Sequence, residues 1–144
     1  WETDVIEGGY KSYRATVVET IQQIAGELSL CVLNGYTGAG KPLLLKELER
    51  LGHQVSDLEG LARHKGSVFG GDPSDPQPTQ KRFESHLFDR LTTLDPSRPV
   101  FVEAESAKIG KLNLPNPLWQ RLIASSVVEI FTPVEARARY LAAD

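Results

Sequence analysis

Seven consecutive residues, Gly35-Tyr36-Thr37-Gly38-Ala39-Gly40-Lys41, could bind phosphate. Their spacing is GxxxxGK, the core of a phosphate-binding loop. Gly35, Gly38 and Gly40 permit dihedrals that other residues resist. Successive backbone N–H groups from Thr37 through Ala39 to Lys41 can then face one concavity. A helix following the loop adds its unpaired N–H groups and positive dipole end. Lys41 brings a mobile positive charge to a terminal phosphate. Magnesium binding normally needs a hydroxyl next, and this chain has Pro42. Proline fits the first helical turn but offers neither hydroxyl nor N–H. The loop is therefore expected to bind a phosphate or diphosphate group and to be poorly built for magnesium-ATP hydrolysis. No residue is assigned as a metal ligand. The bland alternative is a glycine-rich turn without a ligand.

The acids form the next group. Pro99-Val-Phe-Val-Glu103 reads as an apolar strand ending in a carboxylate, with Glu105 two residues on. A carboxylate at the C-terminal edge of a parallel strand can orient water or move a proton. The sequence does not choose between Glu103 and Glu105, and a capping or salt-bridging acid remains the plain alternative. Asp57-Leu58-Glu59-Gly60 follows another short strand, and Arg63, His64 and Lys65 come next. This end of a strand also faces a ligand crevice, so Asp57, Glu59 and Arg63 are candidate substrate contacts, and a solvated charged turn is the competing reading. His64 starts from an ordinary histidine pKa near 6.5 and can act as acid, base or neutral donor. His53 reads as a strand-entry residue and His86 as a helix-surface residue. Cys31 reads as a small buried hydrophobe inside a strand. Lys108 and Lys111 flank Gly110 and could reach phosphates. Residues 60–111 hold eight Lys/Arg and seven Asp/Glu, so no local basic patch exists there.

These residues need a scaffold. Residues 28–34 (LSLCVLN) read as a strand buried on both faces. LLLKELERL, ended by Gly52, reads as the helix after the loop, and HQVSD as a second strand. Apolar residues at positions 13, 17, 21 and 24 predict a helix over 12–26 stopped by Gly26, and the opening residues read as a strand and a Gly-Gly turn. Residues 60–80 read as a long loop, after which Thr79 caps a helix striped by Phe83, Leu87, Leu91 and Leu94. VFVEAES is the third strand, IGKLNLPNP a loop, LWQRLIAS a helix and VVEIF the fourth strand. Thr132 reads as N-cap of a last helix, with Glu135 completing a capping box. Strand and helix alternate. This predicts an α/β fold, a parallel sheet of at least four strands flanked by helices in a P-loop NTPase-like three-layer arrangement.

Composition is consistent with that. The chain has 144 residues, about one domain's worth. Its net charge of −3 argues against a strongly basic nucleic-acid module. A single cysteine excludes an intrachain disulfide or a cysteine-cluster zinc site. The expectation is a soluble, cytoplasmic domain, and the absence of methionine suggests part of a larger protein.

GYTGAGK, DLEGLARHKGSVFG, QKRFES and RPVFVEAESAKIGKLNLP together resemble the C-terminal domain of the tRNA 2-selenouridine synthase family. GxTGxGK alone is common; the second and fourth segments are far more specific. VIEGGYKSYR is similar to the junction where that family's N-terminal rhodanese-like domain ends. The resemblance implies residues 1–12 as a remnant of that domain and 13–144 as a C-terminally incomplete P-loop domain. It implies an enzyme that attaches a geranyl group from geranyl diphosphate to the sulfur of wobble 2-thiouridine in tRNA, then replaces S-geranyl with selenium from selenophosphate. The anion loop then comprises Gly35, Thr37, Gly38, Ala39, Gly40 and Lys41. Asp57, Glu59, His64, Gly66 and Ser67 map to the segment after the second strand. Glu103, Glu105, Ser106 and Lys108 map to the segment after the third. The family usually has Ser or Thr where Pro42 stands, which leaves magnesium open. A missing rhodanese-like domain would carry the selenation cysteine. Phe69 and Trp119 are weak candidates for an isoprenoid slot. The competing classes are a small-molecule or nucleotide kinase and a non-enzymatic phosphate- or RNA-binding module.

Overall fold

The computed structural model describes residues 5, 7–65, 71 and 74–143. Along the chain run α1 (Gly9–Glu27), β1 (Leu30–Asn34), α2 (Lys41–Arg50), β2 (Gln54–Ser56), α3 (Leu58–Ala62) and α4 (Gln80–Leu91). Then come β3 (Val100–Glu103), β4 (Lys108–Ile109), β5 (Leu112–Asn113), α5 (Asn116–Ile123), β6 (Ser126–Glu129) and α6 (Val134–Ala143).

Four short strands form one parallel sheet in the order β2-β3-β1-β6. The apolar β1 lies inside it, with Val32 opposite Val102 of β3 on one side and Val127 of β6 on the other. Side chains alternate across a strand. Leu30 and Val32 of β1, with Val100 and Val102 of β3, join the main core. That core is completed by Val17, Ile21 and Ala25 of α1, Phe83, Leu87 and Leu91 of α4, and Leu118 and Leu122 of α5. Leu33 points the other way, to Leu45 of α2 and Val55 of β2, with Phe101 of β3 packed against them. Helices therefore cover both faces, and the three-layer arrangement expected from the alternating pattern is present.

The alternation has a consequence for chemistry. Glu103 shares the face of Phe101, the α2 side, at the C-terminal end of its strand. The phosphate loop joins the same end of β1 to α2.

Several local expectations need correction. The first helix is longer than its apolar stripe and runs through Gly26, because helix propagation needs no further apolar residue once one face is packed. Gly8 and Gly9 are left-handed, as a tight entry requires; the expected strand before them falls mainly on residues outside the described set. The stretch 108–113 is not plain loop but the antiparallel hairpin β4–β5, with left-handed Gly110 at its turn. The five-residue α3 begins before the stretch read as a long loop and takes up its first residues, 60–62. Thr79 does cap α4, accepting from the Arg82 N–H at 3.3 Å. Thr132 does not cap the last helix: its hydroxyl donates to the Ala39 carbonyl at 3.1 Å. Cys31 and His86 are half-buried, rather than buried and surface-exposed respectively.

Candidate phosphate-binding site

The loop has the geometry its glycines allow. Gly38 and Gly40 are left-handed, at φ 80° and 83°, a region costly for other residues. A turn closes inside it, with the Ala39 N–H donating to the Tyr36 carbonyl at 2.9 Å. Gly35 is required by close approach: a Cβ there would stand 3.0 Å from the Ile130 carbonyl oxygen. Gly40 is the N-cap of α2, makes no side-chain cap and is followed by no acid in the first turn. The helix thus leaves its first N–H groups and positive end for an anion. Lys41 opens the helix and donates from Nζ to the Gly35 carbonyl at 2.7 Å, so its ammonium is already folded back over the loop. Pro42 occupies the second helical position without strain.

Carboxyl groups gather beside this cation. Glu103 is only 3% exposed. Its Oε1 accepts the Glu59 N–H at 2.7 Å, and its Oε2 has no partner among the described residues. Burial pushes its pKa up to about 8; the Glu59 N–H opposes this, while the charges of Asp57 and Glu59 add to it. Glu105 is also pushed up to about 8, first by burial, then by its hydrogen bond to the Glu59 side chain and by the charges of Glu59 and Glu103. The Lys41 charge pulls Glu105 the other way. Folding therefore brings Lys41, Glu59, Glu103 and Glu105 into one electrostatic unit, although 62 positions separate Lys41 from Glu103 in the sequence.

The other candidate residues are placed elsewhere or already engaged. Asp57 is the N-cap of α3 and accepts the Gly60 N–H at 2.8 Å. Arg63, left-handed at the end of α3, pairs with Asp75 at 2.8 Å. His64 bridges to Gly71 and lies against Gly110, where a Cβ would stand 2.7 Å from its Cδ2. Lys108 is exposed on that same hairpin, and its carbonyl accepts from the Ser106 hydroxyl. Thus His64 and Lys108 share the hairpin neighbourhood. Gly66, Ser67 and Phe69 lie outside the described residues. Trp119 packs against the main core.

Two contacts of the loop had no signal in the sequence. The Arg137 guanidinium stands 5.0 Å from the centre of the Tyr36 ring. Its helix presses on Gly38, where a Cβ would come within 2.9 Å of Leu141 Cγ and 3.1 Å of the Arg137 carbonyl oxygen. About a hundred residues separate these partners in sequence, and neither periodicity nor spacing links positions so far apart.

Magnesium does not fit the loop in the usual way. Pro42 presents no side-chain oxygen, and among the described residues no three His, Cys, Asp or Glu side chains are grouped to hold an ion.

The model of the tRNA 2-selenouridine synthase AAA domain matches residues 28–144. The chain belongs to this family. A tRNA 2-selenouridine synthase of Nitrosomonas europaea is 40% identical over 139 residues, covering 94% of this chain and 36% of its own length. One from Nitrosomonas eutropha is 39% identical over 136 residues, covering 92% and 34%. One from Shewanella piezotolerans is 40% identical over 134 residues, covering 92% and 35%. The chain therefore spans about a third of the length of these curated relatives. No solved structure matches it.

Proposed function

We propose that this chain is the phosphate-binding domain of an enzyme that remakes the wobble 2-thiouridine of tRNA. On this reading the loop seats the diphosphate of geranyl diphosphate. The uridine sulfur attacks the geranyl carbon, the carbon–oxygen bond breaks, diphosphate leaves and the uridine N3 proton passes to solvent. Negative charge builds on the leaving group, and the loop N–H groups with Lys41 stabilise it as it develops. Selenophosphate occupies the same anion site for the later exchange, in which its selenium takes the place of sulfur on the base, geranyl thiol leaves and the phosphoryl group passes to water. That exchange also uses a rhodanese-like domain and its cysteine. The site works in the cytoplasm, on tRNA.

The observation that carries this reading is the uncapped start of α2 behind left-handed Gly38 and Gly40, with Lys41 folded over the loop. Glu103 and Glu105 hold protons beside Lys41 near neutral pH and serve as the acid–base groups. His64 acts with them when tRNA bridges the loop and the hairpin. Asp57, Glu59, Arg63, Ser67 and Lys108 contact substrate, Arg63 after leaving Asp75.

Calorimetry with geranyl diphosphate, ATP and GTP tests the ligand class. The expected result is selective binding of geranyl diphosphate, weakened about tenfold or more in Lys41→Ala, as loss of a charged hydrogen bond predicts. Selective, magnesium-dependent nucleotide binding would instead point to a kinase. Geranyl transfer to a 2-thiouridine tRNA, read by nucleoside mass, tests the reaction.

A further inference from the structure

We infer that Arg137 is a second cation of the phosphate loop and gives it preference for a ligand with two linked phosphoryl groups. This inference rests on the proposed diphosphate reading and names a ligand contact that reading does not include.

Four arginines among the described residues are half-buried: Arg14, Arg90, Arg121 and Arg137. Arg14 donates to the Lys81 carbonyl and pairs with Glu84. Arg90 donates from Nε to the Val55 carbonyl at 2.9 Å. Arg121 donates from Nε to the Leu28 carbonyl at 2.8 Å. Arg137 differs: its Nε is buried without a hydrogen-bond partner, and its only described polar contact is the face of Tyr36. Leaving a buried donor unmet is costly, and native folds rarely keep such a group without a partner. A cation–π contact offsets part of the charge's desolvation but supplies no acceptor.

The position of Arg137 supplies that acceptor's identity. Tyr36 is the second residue of the loop, and the Arg137 backbone abuts Gly38. Ile130 and Thr132, which lead into α6, touch Gly35 and Ala39. The segment from β6 into α6 thus follows the loop from Gly35 to Ala39 and delivers a guanidinium to its rim. No carboxylate neutralises that guanidinium among the described residues. Lys41 is held on the Gly35 carbonyl, so the loop has one cation inside it and one beside it. A planar guanidinium with several donors suits phosphoryl oxygens. Two cations match the two charged groups of a diphosphate. Orthophosphate satisfies the loop and Lys41 and leaves Arg137 little to hold.

The test titrates inorganic diphosphate and orthophosphate into the 144-residue chain and its Arg137→Ala, Arg137→Lys, Tyr36→Leu and Lys41→Ala variants. Arg137→Ala is expected to weaken diphosphate at least about tenfold and orthophosphate less than about threefold, as loss of one charged contact predicts. Arg137→Lys recovers part of the preference, and Tyr36→Leu reduces it by freeing the guanidinium. Far-ultraviolet circular dichroism and melting temperature check that each variant is folded. If Arg137→Ala binds both anions as the parent does, or loses both equally, Arg137 is structural and the inference falls. If Lys41→Ala nevertheless loses diphosphate, the proposed function survives that failure. If the parent binds no diphosphate, both fall.

Discussion

Glu103 is an acid kept where water cannot solvate its charge. One oxygen holds the Glu59 N–H, and the other has no partner among the described residues. Its pKa of about 8 stands above the ordinary 4.5, chiefly through burial. The sign of the stability effect follows. The folded chain keeps a proton that the unfolded chain begins to release near pH 4.5. Stability from the neutral carboxyl is complete below that pH and is lost as pH rises through about 8. Glu105 titrates with it, so the pair and not a single midpoint governs the curve. Glu103→Gln retains an acceptor for Glu59 and cannot ionise. The variant is expected to gain on the parent between pH 5 and pH 8.5 by on the order of 2–4 kcal/mol, since one pKa unit is about 1.4 kcal/mol. Urea unfolding at the two pH values measures this. A difference that stays constant with pH would falsify the buried-proton account. The acid itself was legible in the sequence, as the polar end of an apolar run. Its link to Glu59 was not, because that hydrogen bond spans 44 positions.

Elements show the same division between local and long-range information. Helices α1, α2, α4 and α5 and strands β1, β2 and β3 follow from apolar runs and glycine punctuation, because each buries apolar residues, whereas α6 and β6 bury none. The β4–β5 hairpin has two residues per strand, too few to establish alternation. It is held by side chains that act as backbone partners. Gln77 donates from Nε2 to the Ala62 carbonyl at 3.2 Å and the Ile109 carbonyl at 3.0 Å, and its Oε1 accepts the Lys111 N–H at 2.8 Å. Gln80 accepts the Asn113 N–H at 2.9 Å and donates to that residue's carbonyl at 2.8 Å. A Cβ at Gly110 would overlap Gln77, so glycine is required for the amide to reach in. Gln77→Ala leaves three backbone groups without this partner and should cost about 1–3 kcal/mol, mostly as local opening. Amide exchange should accelerate at Lys111 before it does in β1 or β3. Unchanged protection at Lys111 would show that the apolar contacts of Ile109 and Leu112 hold the hairpin unaided.

At the scale of the whole molecule, burial is uneven across the sheet. The main core lies under α1, α4 and α5, and the smaller cluster under α2. The outer strand β6 pairs with β1 on one side, yet all four of its residues are exposed. Val127 is 53% exposed, Val128 46% and nearby Phe131 91%. Parallel sheets are ordinarily covered on both faces, and an apolar edge strand offers unpaired N–H and C=O groups to another chain. The repulsion expected from a net charge of −3 is modest. The isolated 144-residue chain is therefore expected to self-associate as concentration rises, with β6 as the contact. Val128→Lys places a charge on that edge without entering either core cluster. It should lower the apparent mass in concentration-dependent light scattering while leaving diphosphate binding unchanged. Association that persists undiminished in Val128→Lys would move the contact to another surface.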